Sequence, residues 1–527
     1  MRPYFLVKSA ILDGAEVPIS GEIEDDSNYL SIIVGKNGTG KSRTLLNIVS
    51  SILINSRLPV FDNATLPEFY TFRIYNESRL NNEFSNMIGA TYISNGNENK
   101  FWPKAKGNEY YDYSFINKTT PERIICISNS FFHKFPSSES WPLDHRRLRR
   151  EEGDIYKNLC LSELYVKDRR ANSAIKNMYF FQALINALVK SRNSLDNSLK
   201  MLNSFGDYDG VELSFHLYER LSVFELNEYN LSVERFRDSL AFQEAFNERR
   251  EDDELRELMA KVQLFIELTD YKNNVRVRKL FYIDESEKPD LYNSFQYCFE
   301  QKQYVSKFSF YMEGRGESSV ISEELSDLIV YLNSYGLLSV TDVSFIKSSV
   351  SIPLKNLSSG ELNILSSLVL INSEIKDRSV VLIDEPEINL HPKWQEEVIP
   401  MLMNCFSHIT GCHFIIATHS PLIASSVQES NSSVIIIDEV RENSLIVPGR
   451  VIKGRSSDFQ LFYTLKHPGP HNEYLIRRLL TIIAKRKNGR DISHKDVLFI
   501  NDVSDLLIDI EEGDKVKYLL AQALALI

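Results

Sequence analysis

The chain has 527 residues, enough to bury a large core, and its length favours about three domains or one large domain with insertions. Its formal net charge of −12 indicates that any contact with DNA or RNA is local. No apolar stretch approaches the ~20 residues that span a bilayer, and no secretion signal is evident, so we expect a cytoplasmic protein without membrane contact. The five cysteines lie far apart and include no C-x-x-C pair, which argues against a zinc site or a disulfide framework.

Residues 1–136 are predicted to consist mostly of strands and turns around one helix. An apolar run, Asn28–Val34, leads into a glycine-rich loop, and Ser42–Ile54 after the loop has apolar residues at helical spacing. Glu122–Ser128 is a second candidate for a buried strand. A strand followed by a glycine-rich loop and a helix is the setting in which phosphate-binding loops occur.

The glycine-rich loop matches the pattern G-x-x-x-x-G-K-S/T, which binds nucleotide phosphates. Its glycines let backbone N–H groups point at the β-phosphate, Lys41 reaches the β- and γ-phosphates, and the Ser42 hydroxyl is suited to ligate Mg²⁺. A chance glycine turn is the alternative, but the flanking strand and helix favour an ATP site. The predicted nucleotide-binding residues are Gly35, Lys36, Asn37, Gly38, Thr39, Gly40, Lys41, Ser42 and Arg43.

Residues 137–335 differ in character and are predicted to form a helical insertion. Two segments, Ala174–Phe205 and Phe236–Leu268, have amphipathic helical periodicity, and neither sustains the heptads of a long coiled-coil arm. Three basic runs occur in this part, namely His145–Gly153, Lys167–Arg170 and Tyr271–Lys279. Such runs are usually solvated helix faces, and contact with nucleic acid is the alternative.

Strands return over residues 336–440 and alternate with helices, which predicts a largely parallel sheet, while residues 441–527 are predicted to form an α-rich tail. One apolar strand ends in two carboxylates, Asp384 and Glu385, at the sheet edge where ligands bind. We predict that Asp384 holds Mg²⁺ through water. Glu385 is predicted to orient and deprotonate the attacking water, as in-line phosphoryl transfer requires.

Two further motifs accompany this strand. Ser358, Ser359 and Gly360 of the run L-S-S-G-E lie at the start of the preceding helix, where an anion can bind. A plain serine N-cap with Glu361 in the first turn is the alternative for this run. His419 follows another strand and is a candidate sensor of the γ-phosphate, although a lone histidine is more often structural.

In this order the motifs resemble those of ABC-type ATPase heads: phosphate loop, long insertion, L-S-S-G-E signature, D-E-P strand and switch histidine. The resemblance implies an α/β fold with a mostly parallel sheet, an antiparallel β lobe and a large helical insertion. It also implies that two heads sandwich two nucleotides, so that Ser359 and Gly360 act on the nucleotide of the other head. Asn389–His391 would then touch the opposite subunit. The family's glutamine is replaced by Ser128–Ser130, of which Asn129 would contact Mg²⁺ or the attacking water.

Asn37 and the run Asp384–Pro392 resemble the branch with chromosome-maintenance, recombination-mediator and OLD proteins. The missing C-x-x-C pair excludes a zinc hook, and residues 441–527 are too few for the nuclease domain of OLD proteins. The aspartates of this tail, Asp502, Asp505 and Asp509, also lack the spacing that such a nuclease needs. His467, His471 and His494 lie near no cysteine or repeated histidine, so an HNH-type nuclease is not expected either.

An ATPase head without a nuclease or a long arm resembles the stand-alone ATPase subunits of Septu and retron anti-phage systems. Arg123–Pro136 and Leu357–Leu370 carry this resemblance. It implies a homodimer or higher homo-oligomer joined through nucleotides and a separate HNH-type nuclease as partner, with a complex containing DNA, RNA or a reverse transcriptase left open. The alternatives are a DNA repair or recombination ATPase that binds DNA directly, and a scaffold that holds ATP without turnover.

Overall fold

The computed structural model describes residues 4–23, 27–57, 89–94, 96–106, 110–114, 120–130, 134–136, 155–160, 192–217, 257–258, 260–262, 264–265, 276–283, 298–311, 327–329, 331–332, 338–438, 444–507 and 510–526. The chain divides into two units. Unit 1 contains Met1–Arg169 and Glu374–Ile527, and unit 2 contains Arg170–Ser373. Unit 2 therefore extends beyond residue 335, where the sequence predicts the insertion to end.

The helices and strands follow one another in three groups. The first group, in unit 1, contains β1 (Phe5–Leu12), β2 (Ala15–Pro18), β3 (Tyr29–Val34), α1 (Lys41–Arg57), β4 (Ala90–Ser94), β5 (Asn97–Lys106), β6 (Tyr110–Ser114), β7 (Ile124–Ser128) and β8 (Tyr156–Asn158). The second contains α2 (Arg192–Gly206), β9 (Gly210–Leu217), β10 (Arg276–Ile283), β11 (Cys298–Tyr311), β12 (Leu338–Lys347), β13 (Val350–Pro353) and α3 (Ser359–Glu374). The third, again in unit 1, contains β14 (Val380–Asp384), α4 (Pro392–Cys405), β15 (His413–Ala417), α5 (Pro421–Ser425), β16 (Ser432–Ile436), β17 (Leu445–Pro448), α6 (Gly449–Ile452), α7 (Ser457–Tyr463), α8 (Glu473–Lys487), α9 (His494–Asp505) and α10 (Lys515–Leu524).

The main sheet of unit 1 has the strand order β17-β16-β3-β15-β14-β7-β8. Neighbouring strands run parallel, except that β16 and β17 are antiparallel. Every residue of β3, β7, β14, β15 and β16 is buried, as expected for short apolar strands in a parallel sheet that is covered on both faces. The α/β fold with a mostly parallel sheet is therefore confirmed.

A second sheet of unit 1 is antiparallel and has the order β2-β1-β4-β5-β6, so the predicted antiparallel β lobe is also confirmed. Its first hairpin turns at Asp13 and Gly14, whose φ angles of 52° and 86° suit a tight two-residue turn. Phe5 of β1 and Ile48 of α1 belong to the same buried apolar cluster as Leu382 of β14. The lobe, α1 and the main sheet thus share one core.

His413, the first residue of β15, lies fully buried where the lobe meets the main sheet. Its Nδ1 accepts the backbone N–H of Val7 at 3.0 Å, and its Nε2 lies 2.8 Å from Ser31 Oγ. The Ser31 hydroxyl in turn donates to the carbonyl oxygen of Ile19 at 2.6 Å, so His413 Nε2–H is the donor to Ser31. Burial lowers the pKa of His413 to about 3, and the neutral imidazole acts as a structural link between β1 and β3.

Unit 2 contains a third sheet, antiparallel, with the order β10-β11-β9-β12-β13. The sequence predicts a helical insertion over residues 137–335, and this prediction is wrong in part, because β9, β10 and β11 lie within that range. Their residues are rich in β-branched and aromatic side chains, and β9 pairs with β11 and β12, which are far away in sequence. Helical periodicity in neighbouring segments therefore gave no indication of them.

The predictions for individual segments of the insertion agree with the structure in one case, disagree in another, and otherwise concern residues that are not described. Arg192–Gly206 is helical, whereas Phe236–Leu268 lies mostly outside the described residues. The basic runs at residues 145–153 and 167–170 also lie outside them. The start of β10, Arg276–Lys279, comes from the third basic run, so the prediction of a helix face is wrong there.

The tail of unit 1 consists of β17 followed by helices, whose apolar residues form a second core. Asp496 of α9 is 1% exposed and accepts hydrogen bonds from Arg478 at 3.2 Å and Lys485 at 2.9 Å, both on α8. These contacts tie α8 to α9. Within the described ranges, no helix combines the length and the apolar character that are needed to cross a membrane.

Candidate nucleotide-binding site

Four strands of the main sheet bring predicted site residues to one edge. The glycine-rich loop follows β3, Asp384 ends β14, His419 comes two residues after β15, and Asn129 follows β7. The parallel register aligns Asp384 with Ser128 on one side and with Ala417 on the other. Because ligands bind at the carboxyl ends of parallel strands, this edge is the candidate site.

The backbone of the glycine-rich loop requires its glycines. Gly38 and Gly40 have φ angles of 81° and 97°, in the region that side chains disfavour. A Cβ on Gly35 would lie 2.7 Å from Thr39 Oγ1 and 2.8 Å from the carbonyl oxygen of Ile437. The loop is thus closed tightly around the start of α1, whose first N–H groups are suited to bind phosphate oxygens.

Lys41, the first residue of α1, is 5% exposed. Its Nζ donates to the carbonyl oxygens of Gly35 at 2.8 Å and Lys36 at 3.0 Å, and it lies 3.1 Å from His419 Nδ1. Burial lowers the pKa of Lys41 to about 8, while the charges of Glu387, Asp384 and Glu385 act in the opposite direction. The ammonium group is therefore mainly protonated at neutral pH, as a phosphate ligand must be.

His419 is half-buried and connects Lys41 to Glu385. Burial, and then the charge of Lys41, lower the pKa of His419 to about 4, so the imidazole is neutral at pH 7. Since its Nδ1 accepts from Lys41, the remaining proton lies on Nε2, which is 3.8 Å from Glu385 Oε1. The three predicted residues thus form a polar chain, with a hydrogen bond between Lys41 and His419 and a close approach between His419 and Glu385.

Glu385 lies in a turn with unfavourable backbone geometry. Its φ of 51° is in the left-handed region, and its backbone N–H donates to the carbonyl oxygen of Ala417 at 2.9 Å. Left-handed non-glycine residues are uncommon and often occur at functional sites. The turn places the Glu385 carboxylate beside His419 and leaves it 31% exposed, accessible to water.

Ser42 and Asp384 meet at the centre of the site. The Ser42 hydroxyl donates to Asp384 Oδ1 at 3.0 Å, and Asp384 is 4% exposed. Burial raises the pKa of Asp384 to about 6, the Ser42 hydrogen bond lowers it, Glu385 and Glu387 raise it, and Lys134 lowers it. A partly buried hydroxyl–carboxylate pair among further carboxylates fits Mg²⁺, which prefers oxygen ligands, and the cation would favour the ionised carboxylate.

Two other predicted residues have defined positions beside this centre. Asn129 is half-buried and directly follows Ser128, the register partner of Asp384. Arg43 is engaged with the β1–β2 turn, where its Nη2 donates to Asp13 Oδ2 at 3.1 Å. The structure therefore gives Arg43 a link to the β lobe in addition to its place in the loop.

The sequence reading missed two charged residues of the site. Lys134 lowers the pKa of Asp384 through its charge, and it lies in the run Arg123–Pro136. Glu387 accepts hydrogen bonds from the Thr418 hydroxyl at 2.9 Å and from the His419 backbone N–H at 2.6 Å. Partial burial raises the pKa of Glu387. Its place in the run D-E-P-E was the only signal, and local sequence does not indicate where a carboxylate finds its partners.

The L-S-S-G-E residues belong to unit 2. The Ser358 N–H and hydroxyl donate to Glu361 Oε2 at 2.8 and 2.7 Å, and the Glu361 N–H lies 3.3 Å from Ser358 Oγ. This is a capping box, the arrangement that the sequence left open as an alternative for Ser358. Ser359 is exposed and Gly360 is buried, and their role toward a nucleotide stays a prediction.

The loop predicted to touch another subunit is also at the surface. Asn389 is exposed and has a φ of 64°, and His391 is exposed. His391 caps α4 by accepting the Lys393 N–H at 3.4 Å. The cap fixes where the loop ends and the helix begins.

Residues 30–425 match the family described as "AAA domain, putative AbiEii toxin, Type IV TA system". The chain belongs to this AAA-domain family. The matched range contains the glycine-rich loop, the signature run, Asp384, Glu385 and His419, so the family match covers the whole candidate site.

Proteins similar in sequence to this AAA-domain chain include "Retron Vc95 probable ATPase" of Vibrio cholerae serotype O1 biovar El Tor. It is 28% identical over 29% of this chain and 32% of that protein. "Septu protein PtuA" of Bacillus mycoides strain KBAB4 is 33% identical over 17% of this chain and 13% of that protein. The chain thus spans about a third or less of the length of these curated relatives. The predicted resemblance to retron and Septu ATPases is confirmed. The "SMC head domain from Thermotoga maritima" aligns over 85% of this chain and 99% of its own, at 13% identity and a TM-score of 0.28.

Proposed function

We propose that the chain binds ATP with Mg²⁺ and hydrolyses it. The supporting observation is the polar chain Lys41–His419–Glu385 beside the Ser42–Asp384 pair, at one edge of a parallel sheet. Lys41 and the backbone N–H groups of the loop hold the phosphates. Ser42 and Asp384 are suited to hold Mg²⁺, whose charge offsets that of the phosphate oxygens when it is bound.

The remaining residues of the site act on water and on the γ-phosphate. Glu385 is partly exposed and orients the attacking water, from which it takes a proton. His419 is neutral with its proton on Nε2, so this group donates to a γ-phosphate oxygen. Asn129 follows Ser128, the register partner of Asp384, and would contact the same water or the cation.

Glu385→Gln tests the hydrolysis assignment. The variant keeps the shape of the side chain but does not accept a proton, so we expect wild-type ATP affinity and a loss of turnover of about 100-fold or more. Glu396→Gln, on the exposed side of α4, is the matched control and should retain wild-type turnover. Full turnover in Glu385→Gln would reject the assignment.

The proposal extends to a pair of chains that enclose two nucleotides. Ser359 is exposed at the start of α3, and Ser358 is occupied as the N-cap, so Ser359 and the neighbouring N–H groups are the ones available to a phosphate from another copy. The exposed Asn389–His391 loop would lie in the same interface. In the Glu385→Gln background, ATP should shift the sedimentation of the chain from monomer to dimer, and Ser359→Arg should prevent the shift. An unchanged mass with ATP present would contradict the nucleotide-joined pair.

The biological role that we infer is control of a separate HNH-type nuclease in anti-phage defence. The names of the relatives, a retron ATPase and a Septu protein, support this role. Where an HNH-type nuclease gene lies beside the gene for this chain, co-expression of the two proteins should protect bacteria from phage, and both Lys41→Ala and Glu385→Gln should remove protection. Protection by the nuclease alone would show that this chain is not its regulator.

A further inference from the structure

Glu387 is the acidic residue of the site to which ATP hydrolysis assigns no part. It lies two residues after Glu385, between β14 and α4. Its Oε1 accepts the backbone N–H of His419 at 2.6 Å and its Oε2 accepts the hydroxyl of Thr418 at 2.9 Å. Both carboxylate oxygens are thus used, and both donors belong to the segment that follows β15.

The segment held by Glu387 has further fixed contacts. Thr418 is buried, and its backbone N–H donates to the carbonyl oxygen of Ile33 at 3.0 Å. Thr418 Oγ1 also accepts the Ser420 N–H at 2.9 Å, and the Ser420 hydroxyl donates to Gln395 of α4 at 2.6 Å. Glu387 therefore belongs to a network that joins β3, α4 and the segment after β15.

We propose that Glu387 is a positioning residue, which holds the His419 backbone so that the imidazole lies between Lys41 and Glu385. This inference rests on the proposed ATP hydrolysis. Glu387 touches His419 only at the backbone N–H, while the His419 ring reaches Lys41 Nζ at 3.1 Å and Glu385 Oε1 at 3.8 Å. Glu387 thus couples the turn that carries Glu385 to the turn that carries His419.

A carboxylate is the side chain that this position requires. Two donors face its two oxygens, and an amide of the same size would present an N–H₂ group to one of them. In the Glu387→Gln variant this N–H₂ group either meets the Thr418 hydroxyl proton or makes that hydroxyl, which already accepts the Ser420 N–H, turn its proton away. Either outcome removes the hydrogen bond that Thr418 donates and weakens the hold on His419 without creating a cavity. Aspartate is one methylene shorter, and it is expected to reach one of the two donors only.

A double-mutant cycle with His419 tests the inference. Glu387→Gln should lower kcat about 10- to 100-fold, as expected when a catalytic group is displaced by about 1 Å, while the affinity for ATP changes less than about threefold. In the His419→Ala background, the same substitution should have little further effect. Glu396→Gln on α4 is the control and should be neutral in both backgrounds.

Thr418→Val tests the same carboxylate by removing the hydroxyl that donates to its other oxygen. It removes the donor to Glu387 and the acceptor of the Ser420 N–H but leaves the His419 contact, so we expect a smaller loss of kcat that also requires His419. Wild-type kcat in Glu387→Gln, or equal losses with and without His419, would overturn the inference.

A spectroscopic experiment distinguishes a failure of this inference from a failure of the proposed function. The chain has 10 histidines, so selective ¹³C labelling of histidine gives a spectrum in which His419 is assigned by the His419→Ala variant. Glu387→Gln should move the His419 signal, whereas Glu396→Gln should leave it in place. If the wild-type chain does not turn over ATP, the proposed function fails, yet a shifted signal still supports the positioning role and an unshifted signal rejects it.

Discussion

The Ser42 hydroxyl donates a hydrogen bond of 3.0 Å to Asp384 Oδ1, although 342 positions separate the two residues in the chain. Ser42 lies in the first turn of α1, and Asp384 is the last residue of β14. One contact therefore joins the part of unit 1 that precedes unit 2 to the part that follows it. The proposed Mg²⁺ site would take one ligand from each part.

This pair predicts a specific defect for Ser42→Ala. The substitution removes a hydroxyl oxygen that is suited to Mg²⁺ and leaves the phosphate-binding backbone in place. We expect the affinity for ATP in the presence of Mg²⁺ to fall about 10-fold, with little change in the affinity measured with a chelator present. Titration with a fluorescent ATP analogue under both conditions measures the effect. Equal losses with and without Mg²⁺ would contradict it.

The glycine-rich loop predicts different effects for two neighbouring alanine substitutions. Both Gly38 and Gly40 have left-handed backbone geometry, which costs alanine about 1–2 kcal/mol. A Cβ on Gly40 would also lie 3.0 and 3.1 Å from the two methyl carbons of Leu12, whereas a Cβ on Gly38 meets no atom within 4 Å. Gly40→Ala should therefore destabilise the protein by about 1–3 kcal/mol more than Gly38→Ala and abolish ATP binding.

Thermal unfolding of both variants and ATP titrations measure this difference. Because Gly38→Ala shares the backbone strain but not the collision with Leu12, it is the control for Gly40→Ala. Equal stability of the two variants would show that the Leu12 side chain moves aside without lowering the free energy of unfolding.

Acid stability should depend on His413. Its folded-state pKa of about 3 lies below the unfolded value of 6.5. Between these two pH values the His413 imidazole is therefore protonated in the unfolded chain and neutral in the folded chain. Stability should therefore fall as the pH decreases below about 6.5, by ~1.4 kcal/mol per pH unit for this group, and the loss should continue toward pH 3. Burial is the main cause of the low pKa of His413, and protonation would also place an N–H against the Val7 N–H.

The measurement compares urea unfolding of the wild type and His413→Gln at about pH 7 and about pH 5.5. His419, whose pKa is about 4, contributes in the same direction to both proteins, so it cancels in the comparison. The variant should be less stable at neutral pH but should lose less stability on acidification. Parallel pH dependence in the two proteins would contradict the role of His413.

Alanine substitutions of Ser358 and Ser359 should affect different properties, stability for Ser358 and ATP turnover for Ser359. Ser358 completes the capping box of α3, so Ser358→Ala should lower the free energy of unfolding by about 0.5–2 kcal/mol. Ser359 is exposed, and Ser359→Ala should leave stability within about 0.5 kcal/mol of the wild type while lowering ATP turnover. Thermal unfolding and steady-state turnover of both variants check this, and unchanged turnover in Ser359→Ala would argue against its proposed role.

The sequence was sufficient where the chemistry depends on a local pattern. Lys41 and Ser42 follow glycines at fixed spacing, and Asp384 and Glu385 end an apolar strand, so their common position at one sheet edge follows from the parallel arrangement. It was not sufficient where a residue depends on a distant partner. Glu387 acts through a backbone N–H that lies 32 positions away, and β9 pairs with β11 and β12 across long segments, which local periodicity does not reveal.

The strand order has a consequence for how the protein is made. β3, which leads into the glycine-rich loop, lies between β15 and β16, so both of its neighbours are synthesised long after it. At about 5–20 residues per second, a ribosome needs roughly 20–80 s to travel from the end of β3 to the start of β15. During that interval the apolar strand Tyr29–Val34 lacks both of its neighbours in the sheet. The sheet edge that carries the candidate site is therefore complete only after β15 and β16 have been translated.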